Sequence, residues 1–446
     1  MKKGVLLAAS LLVLLFAFTV YAEVKTDFGS SFRLRQEVWD NVVALDTLPS
    51  ASAKDRDFFR LRISGWGKVS FTKDISFYTK LTTEPKYQIG SYRVNAKGDK
   101  LDEDELIFDN IYADFKNIFG APVDFRIGRQ DFLGPDGFGE GFLLLDGTPG
   151  DGSRSFYFNA VRLTWRITRG NSLDFVYITD TKTDTYLPVL HPGNKKQLTA
   201  SNEKGFVVYS KNKIGDNFNL EPYYIYKIED SFGATPKLKL NTIGARAVFS
   251  QNRWTVKGEF AHQFGEYDSG RDRTGNGGYF FVGRKYPDIT LKPEFELGFV
   301  YLSGDDPSTR NKHEGWNPLF SRAPNWNELI IYTMINETIR DAGPIPGYWT
   351  NMLIYKAGGK VSFSENTGLS AAYSYLGADE KTVGLNPAMF SNDGKGRGHM
   401  LQGMLTHKFN KNFDGFLQLE YFMPRSFYND NAKNALFFRW QLMYRI

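Results

Sequence analysis

The sequence predicts an all-β chain: a transmembrane antiparallel up-and-down β-barrel of about 18 strands, following an N-terminal signal peptide. Three observations predict it. Apolar and polar residues alternate with period two over segment after segment, the pattern of a strand wetted on one face only. The connections between those segments alternate between short and long, as tight periplasmic turns and larger external loops require. Finally, the 446 residues include 43 glycines and 16% aromatics but are only 41% apolar. Large side chains are therefore spread thinly among polar ones, unlike a helical membrane protein, and the lack of cysteine excludes a disulfide-stapled scaffold.

Residues 1–22 read as an export signal. Lys2 and Lys3 precede an apolar run from Val5 to Val20, and Tyr21-Ala22 places a small residue before Glu23 for cleavage. No other stretch reaches the roughly 18 to 20 apolar residues that span a bilayer as a helix. Removing the signal takes away two cations and no acid, so 53 Lys and Arg face 50 acids and the mature charge is +3. That balance argues against nucleic acid as a partner.

Residues 23–446 form the barrel domain. In the first strand Phe28, Phe32, Leu34 and Val38 alternate with Arg33, Arg35 and Glu37. In the last, Leu436, Phe438, Trp440, Leu442, Tyr444 and Ile446 alternate with Phe437, Arg439, Gln441, Met443 and Arg445. Sixteen comparable segments lie between, near 58–70, 74–85, 106–117, 122–132, 155–169, 172–181, 203–213, 218–229, 240–250, 253–266, 277–287, 291–303, 349–363, 368–378, 398–410 and 413–424. Short connections such as Arg169-Gly170-Asn171, Gly215-Asp216-Asn217 and Gln251-Asn252 carry turn residues. The long ones are 41–54, 86–105, 133–154, 182–202, 230–239, 267–276, 304–348, 379–397 and 425–434.

Residues 326–335 are apolar enough to be a nineteenth strand, but an odd count would put the termini on opposite sides of the membrane. They are assigned to the long external loop 304–348 as a helix or a local hairpin, with Asn325 and Glu328 spaced as a capping box. Asp109 shares parity with Ile107 and Ile111, which implies a bulge or a place near the rim.

An 18-strand barrel is too wide for wall side chains to fill and leaves an aqueous channel, so parity assigns the groups that line it. The inward cations are Arg33, Arg35, Arg60, Arg62, Arg126, Arg162, Arg166, Arg246, Arg439 and Arg445. Closure places the last strand beside the first, so the arginines of strands 18, 1 and 2 form a basic wall. Inward acids include Glu37, Asp124, Asp174, Glu259, Glu420, and Glu294 and Glu296 across the barrel from that wall. Taken singly, each group reads equally well as a solvated or structurally paired lumen charge. Collectively, guanidinium groups stay ionised and offer a planar fork to carboxylate or phosphate, which suits them to conducting anions.

The chain resembles the alginate export family of outer-membrane β-barrels. The resemblance rests on Phe32-Arg33-Leu34-Arg35-Gln36-Glu37, on Phe125-Arg126-Ile127-Gly128-Arg129-Gln130 followed by the glycine-rich Leu145 to Arg154, and on Ser303-Gly304-Asp305-Asp306 leading to Asn317-Pro318-Leu319-Phe320. It implies an arginine-rich lumen that passes an anionic uronate polymer outward, adds Arg129 to the conduit, and brings in outer-membrane lipid and periplasmic export proteins as partners. A small anionic solute, taken up through a porin, is the alternative. Inward carboxylates would repel a polyanion, which weighs against the polymer.

Other chemistry is not indicated. The five histidines are scattered at 191, 262, 313, 399 and 407, away from any nucleophile, so no catalytic residue and no enzyme is expected. Gly137-Phe138-Gly139-Glu140-Gly141 lacks the helix of a dinucleotide site. Asp102, Glu103, Asp104 and Glu105 could offer oxygen to Ca²⁺, but an external acidic run is more often simply solvated. No cofactor or metal is expected.

Overall fold

The computed structural model describes residues 24–48, 55–89, 98–102, 105–147, 154–190, 196–321, 326–338 and 349–446. The export segment expected over 1–22, Glu103, Asp104, Asn325 and His191 lie outside the described residues. Eighteen antiparallel strands close into a barrel. They are β1 Lys25–Asp40, β2 Arg56–Ser70, β3 Ile75–Thr83, β4 Ile107–Phe115, β5 Val123–Gln130, β6 Phe158–Arg166, β7 Asn171–Asp180, β8 Glu203–Ile214 and β9 Phe218–Glu229. The second half comprises β10 Leu238–Gln251, β11 Trp254–Tyr267, β12 Asp272–Lys285, β13 Glu294–Leu302, β14 Met352–Ser362, β15 Thr367–Gly377, β16 Gly396–Lys408, β17 Phe413–Pro424 and β18 Ala435–Arg445.

Each strand pairs with its neighbours in sequence, and β18 pairs with β1 to seal the sheet. In a bilayer every backbone donor and acceptor needs a partner within the protein, so a sheet spans only as a closed cylinder. The register at the seam sets Arg35 opposite Arg60 on β2 and Gln441 on β18, and Glu37 opposite Arg439. Outward residues such as Leu34, Ile63, Phe260, Phe280 and Leu297 are exposed along a lipid-facing belt. Inward residues of the same strands are buried or charged.

The connections follow the expected alternation except around β12. The β11–β12 link is the four residues 268–271, whereas the β12–β13 turn takes eight, 286–293. The reason is local: β11 and β12 stay paired out to Glu266 and Asp272, five residues past the Gly277–Leu302 pair where β13 ends, absorbing what the sequence pattern left as loop. Leu291 and Lys292, with φ of 68° and 43°, reverse the chain on the other side. Asp109 is a bulge, as its parity implied: Lys80 pairs with Asn110 and Leu81 with Phe108, leaving Asp109 unpaired.

The interior is not a plain water-filled tube. The described parts of two connections fold into it, 131–147 and 154–157 between β5 and β6, and 303–321, 326–338 and 349–351 between β13 and β14. Leu144 and Phe320 form a parallel bridge, and the N–H groups of Leu145, Asp146 and Gly147 donate to the Phe320 carbonyl at 3.1, 3.1 and 3.3 Å. Phe142 stacks on Trp316 at 5.2 Å, and Trp326 meets Trp349 edge-on at 5.1 Å. These rings join Phe320, Leu329, Ile330 and Met334 in a core that fills the middle of the lumen. Wall parity could not reveal it, because the filling comes from loops.

The lipid belt makes a checkable demand. Phe260→Arg, at the centre of β11 and 56% exposed, is expected to destabilise the barrel by about 2–4 kcal/mol, whereas Trp254→Arg at the strand end costs about 0–1 kcal/mol. Denaturant unfolding in lipid vesicles measures the difference.

Candidate functional site

The site is built at the seam, where closure sets residues 33–37 beside 439–441. Glu37, fully buried, accepts Arg35 at 3.3 Å, Arg60 at 3.3 Å and Arg439 at 3.1 Å. Glu84 pairs with Arg33 and Arg60. Arg35 also donates to the Gln441 side-chain oxygen at 2.6 Å. Below them Asp109 takes Lys80 at 2.6 Å, Arg62 at 3.5 Å and the Thr82 hydroxyl at 3.0 Å. Buried charges are tolerable only when paired and hydrogen-bonded, so the wall carboxylates are what let four guanidinium groups crowd together.

The inserted loop seals this network from above. Its apolar stretch is helical rather than a hairpin, with short turns Leu329–Thr333 and Ile335–Thr338. Asn327 caps the first turn, its side-chain oxygen accepting the Ile330 N–H at 3.0 Å. Glu420 on β17 accepts the N–H groups of Glu328 and Leu329 at 2.9 and 2.8 Å. Glu328 returns its carboxylate to Arg439 at 2.8 Å. Burial pushes the Glu328 carboxyl up, but the Arg439 charge overrides it and holds the group below the usual carboxylate range. At the far end Arg397, fully buried on β16, clasps Glu337 with two bonds of 2.9 and 2.5 Å. Thr333 and Asn336 bond the carbonyls of Val42 and Val43 in the first external connection.

The other expected cations separate by place. Arg126 bonds Asp114 at 2.6 Å and Asp136 at 2.9 Å, and Arg162 bonds Asp174 at 2.8 Å. Arg246 reaches Glu221 at 3.0 Å and Glu140 at 3.3 Å. Arg166, paired with Asp124 at 3.1 Å, and Arg445, paired with Asp414, stand half-exposed at the periplasmic end. Across the barrel Glu294 faces Lys285 and Glu296 faces Lys257, each at 3.7 Å.

Arg129 departs from the conduit set. It pairs with Ile111 and Asn159, out of phase with inward Arg126 and Arg162. Asp184 of the 181–202 connection closes over it at 2.7 Å, and the Tyr157 ring lies 3.9 Å below the guanidinium. Burial raises the Asp184 carboxyl, yet the Arg129 bond leaves it lowered. Gly128, at φ 128°, permits the close approach of β4: a Cβ there would sit 2.3 Å from the Ile111 oxygen.

Spaces remain around the described parts of the inserted loops. An external vestibule of about 740 Å³ reaches down to Trp316 and Asn351. On the periplasmic side, a cavity of about 480 Å³ is lined by Lys257, Lys356 and Lys360, and another of about 530 Å³ by Arg126, Arg166 and Lys211. The segment 134–142 hangs between the latter two: Lys211 donates to the Gly137 carbonyl at 2.6 Å and Lys257 to Glu140 at 3.1 Å.

Sequence parity missed Glu84, although it continues the inward series of Lys80 and Thr82, and it missed the loop carboxylates Glu140 and Glu328, which no wall periodicity reports. Among the described residues no group of three His, Asp or Glu gathers to hold a metal, and Glu105 of the acidic run pairs with Arg154 at 3.1 Å.

A family model described as alginate export matches residues 14–375. No curated protein matches the chain. Among solved structures, Pseudomonas aeruginosa OccK2 (OpdF) in complex with glucuronate aligns with a TM-score of 0.55 at 10% identity, covering 94% of this chain and 98% of that one. Pseudomonas aeruginosa OpdK with vanillate gives 0.57 at 12%, with the same coverage. A BenF-like porin from Pseudomonas fluorescens Pf-5 gives 0.56 at 10%, covering 95% and 98%. At these identities the likeness is one of fold.

The seam network predicts a stability effect. Glu37→Gln leaves Arg35, Arg60 and Arg439 facing one another without their shared carboxylate and is expected to cost about 3–5 kcal/mol. Thermal unfolding followed by heat-dependent gel migration checks it.

Proposed function

Since the chain belongs to the alginate export family and is a channel in the outer membrane of a Gram-negative bacterium, we propose that it conducts small carboxylate-bearing solutes of the uronate class. One observation carries the reading. Arginines from opposite ends of the sequence, Arg33, Arg35, Arg60 and Arg439, converge on one wall where β1 meets β18. There they hold two wall carboxylates, Glu37 and Glu84, and a third, Glu328, borrowed from the inserted loop. Withdrawing the loop removes a negative charge and uncovers a positive wall, where an anion gains about 1 kcal/mol or more per close guanidinium in a partly wetted lumen.

Glucuronate in OccK2 and vanillate in OpdK, both carboxylates, agree with this class. The aromatic layer of Phe142, Trp316, Trp326 and Trp349 divides the lumen into vestibules, which fits short solutes passed one at a time. Export of an anionic polysaccharide, with periplasmic export proteins delivering it, is the second reading, favoured by the family. It requires the 303–351 loop to leave the lumen. Neither reading calls on the histidines: His262 and His399 face outward against Asn276 and Tyr373, and His313 lies against Arg273.

In planar bilayers the channel is expected to prefer anions, less so at high salt, where screening shortens the field to about 8 Å or below. Replacing Arg33, Arg35, Arg60 and Arg62 by Gln should move the reversal potential in a salt gradient to zero or beyond. An unchanged potential would show that the wall serves pairing alone. Arg397→Gln, which frees the loop end holding Glu337, should raise conductance severalfold. Uronate oligomers of increasing length then separate the readings, since passage of long chains through Arg397→Gln supports export.

A further inference from the structure

The segment that spans the periplasmic half of the lumen ends in a carboxylate placed where a transported one would sit. Glu140 extends one oxygen to Arg246 at 3.3 Å and the other to Lys257 at 3.1 Å. Its side chain is 41% exposed, so water and solutes reach it. Directly beneath is the 480 Å³ cavity, on whose wall Lys356 and Lys360 make no hydrogen bond or ion pair with the described residues. The charged lining comprises Lys257, Arg284, Lys285, Lys356 and Lys360 against Glu140, Glu294, Glu296 and Glu420, and with the tethered Glu140 withdrawn the cations outnumber the acids, which makes the space an anion site that the protein fills itself.

Two further features make the tether movable and consequential. Gly139 and Gly141, at φ 57° and 78°, flank Glu140 in the left-handed region, and glycine opens to the backbone on either side of it conformations that other residues lack. Phe142, two positions on, stacks on Trp316 and meets Tyr279 edge-on at 5.6 Å. The carboxylate and the ring that closes the channel thus ride on one short segment.

We propose that Glu140 is an internal competitor for the transported anion: a solute carboxylate entering the cavity takes over Arg246 and Lys257, Glu140 swings out, and Phe142 loosens from Trp316. One carboxylate replaces another, so charge on the two cations is conserved through the exchange. Glu221 stays on Arg246 and Glu296 stays near Lys257, which keeps the site weak enough to release its guest. The inference rests on the reading of the chain as a carboxylate channel and adds a place and a trigger to it.

The test uses the full barrel in planar bilayers with glucuronate added on the periplasmic side and glucose as a neutral control. A tethered group acts at an effective concentration in the millimolar range. Removing it by Glu140→Ala or Glu140→Gln should therefore lower the half-saturating glucuronate concentration about three- to tenfold and raise the open fraction without solute. Adding Lys257→Gln to Glu140→Ala should reverse the gain in glucuronate response. Glu140 lies in a loop, and the Gln variant preserves its size should Ala disturb folding. Equal half-saturating concentrations in parent and both variants overturn the competitor. A parent with no anion preference instead overturns the carboxylate channel, and the two failures are separately visible.

Discussion

The structure depends on one closure, the ladder between β1 and β18. Lipid offers no hydrogen bonds, so an unpaired strand edge in the bilayer would leave a row of orphaned N–H and C=O groups, each costing several kcal/mol. Sealing that edge also decides the chemistry of the interior. It draws Arg439 to Glu37 and Arg35 to Gln441 across more than 400 residues of sequence and stacks their charges on one wall. The carboxylates of Glu37 and Glu84 then become structural necessities, because guanidinium groups at such spacing are bearable only around a shared anion.

What the sequence discloses follows from which solvent each face meets. Lipid on one side and water on the other write period two into every strand, so all 18 strands, their order and the inward side of Arg33 or Arg162 are legible. Side chains that answer to another loop carry no such signature. Glu328 and Glu140 become site residues only because their loops fold inward, and Arg397 is a clasp only because Glu337 arrives beside it. Arg129 is a different case: Gln130 and Arg126 keep inward parity around it, and its charge is met by Asp184 from a loop more than 50 residues away. The short β11–β12 link escaped for a simpler reason, since a strand extending beyond the membrane looks like a polar loop.

Rigid wall and adaptable filling have separate tasks. The barrel fixes a ring of charges to within a strand spacing, and the loops decide how much of that ring faces water. Glu420 illustrates the division: a wall residue, it spends its carboxylate on the N–H groups of a helical turn that belongs to the filling.

The bond cluster at Phe320, whose carbonyl accepts three successive N–H groups, also constrains how the molecule assembles. The partners come from connections nearly 180 residues apart, carried on hairpins that lie on different parts of the cylinder. They meet against the wall of β6, β8 and β9, where Phe158, Gly205 and Lys227 border the Phe320 ring, so the contact needs the sheet curved far enough to carry the β13–β14 connection across to those strands. Filling the lumen thus waits on the bending of the wall, and without that contact Phe142, Trp316 and Phe320, all buried here, would face water.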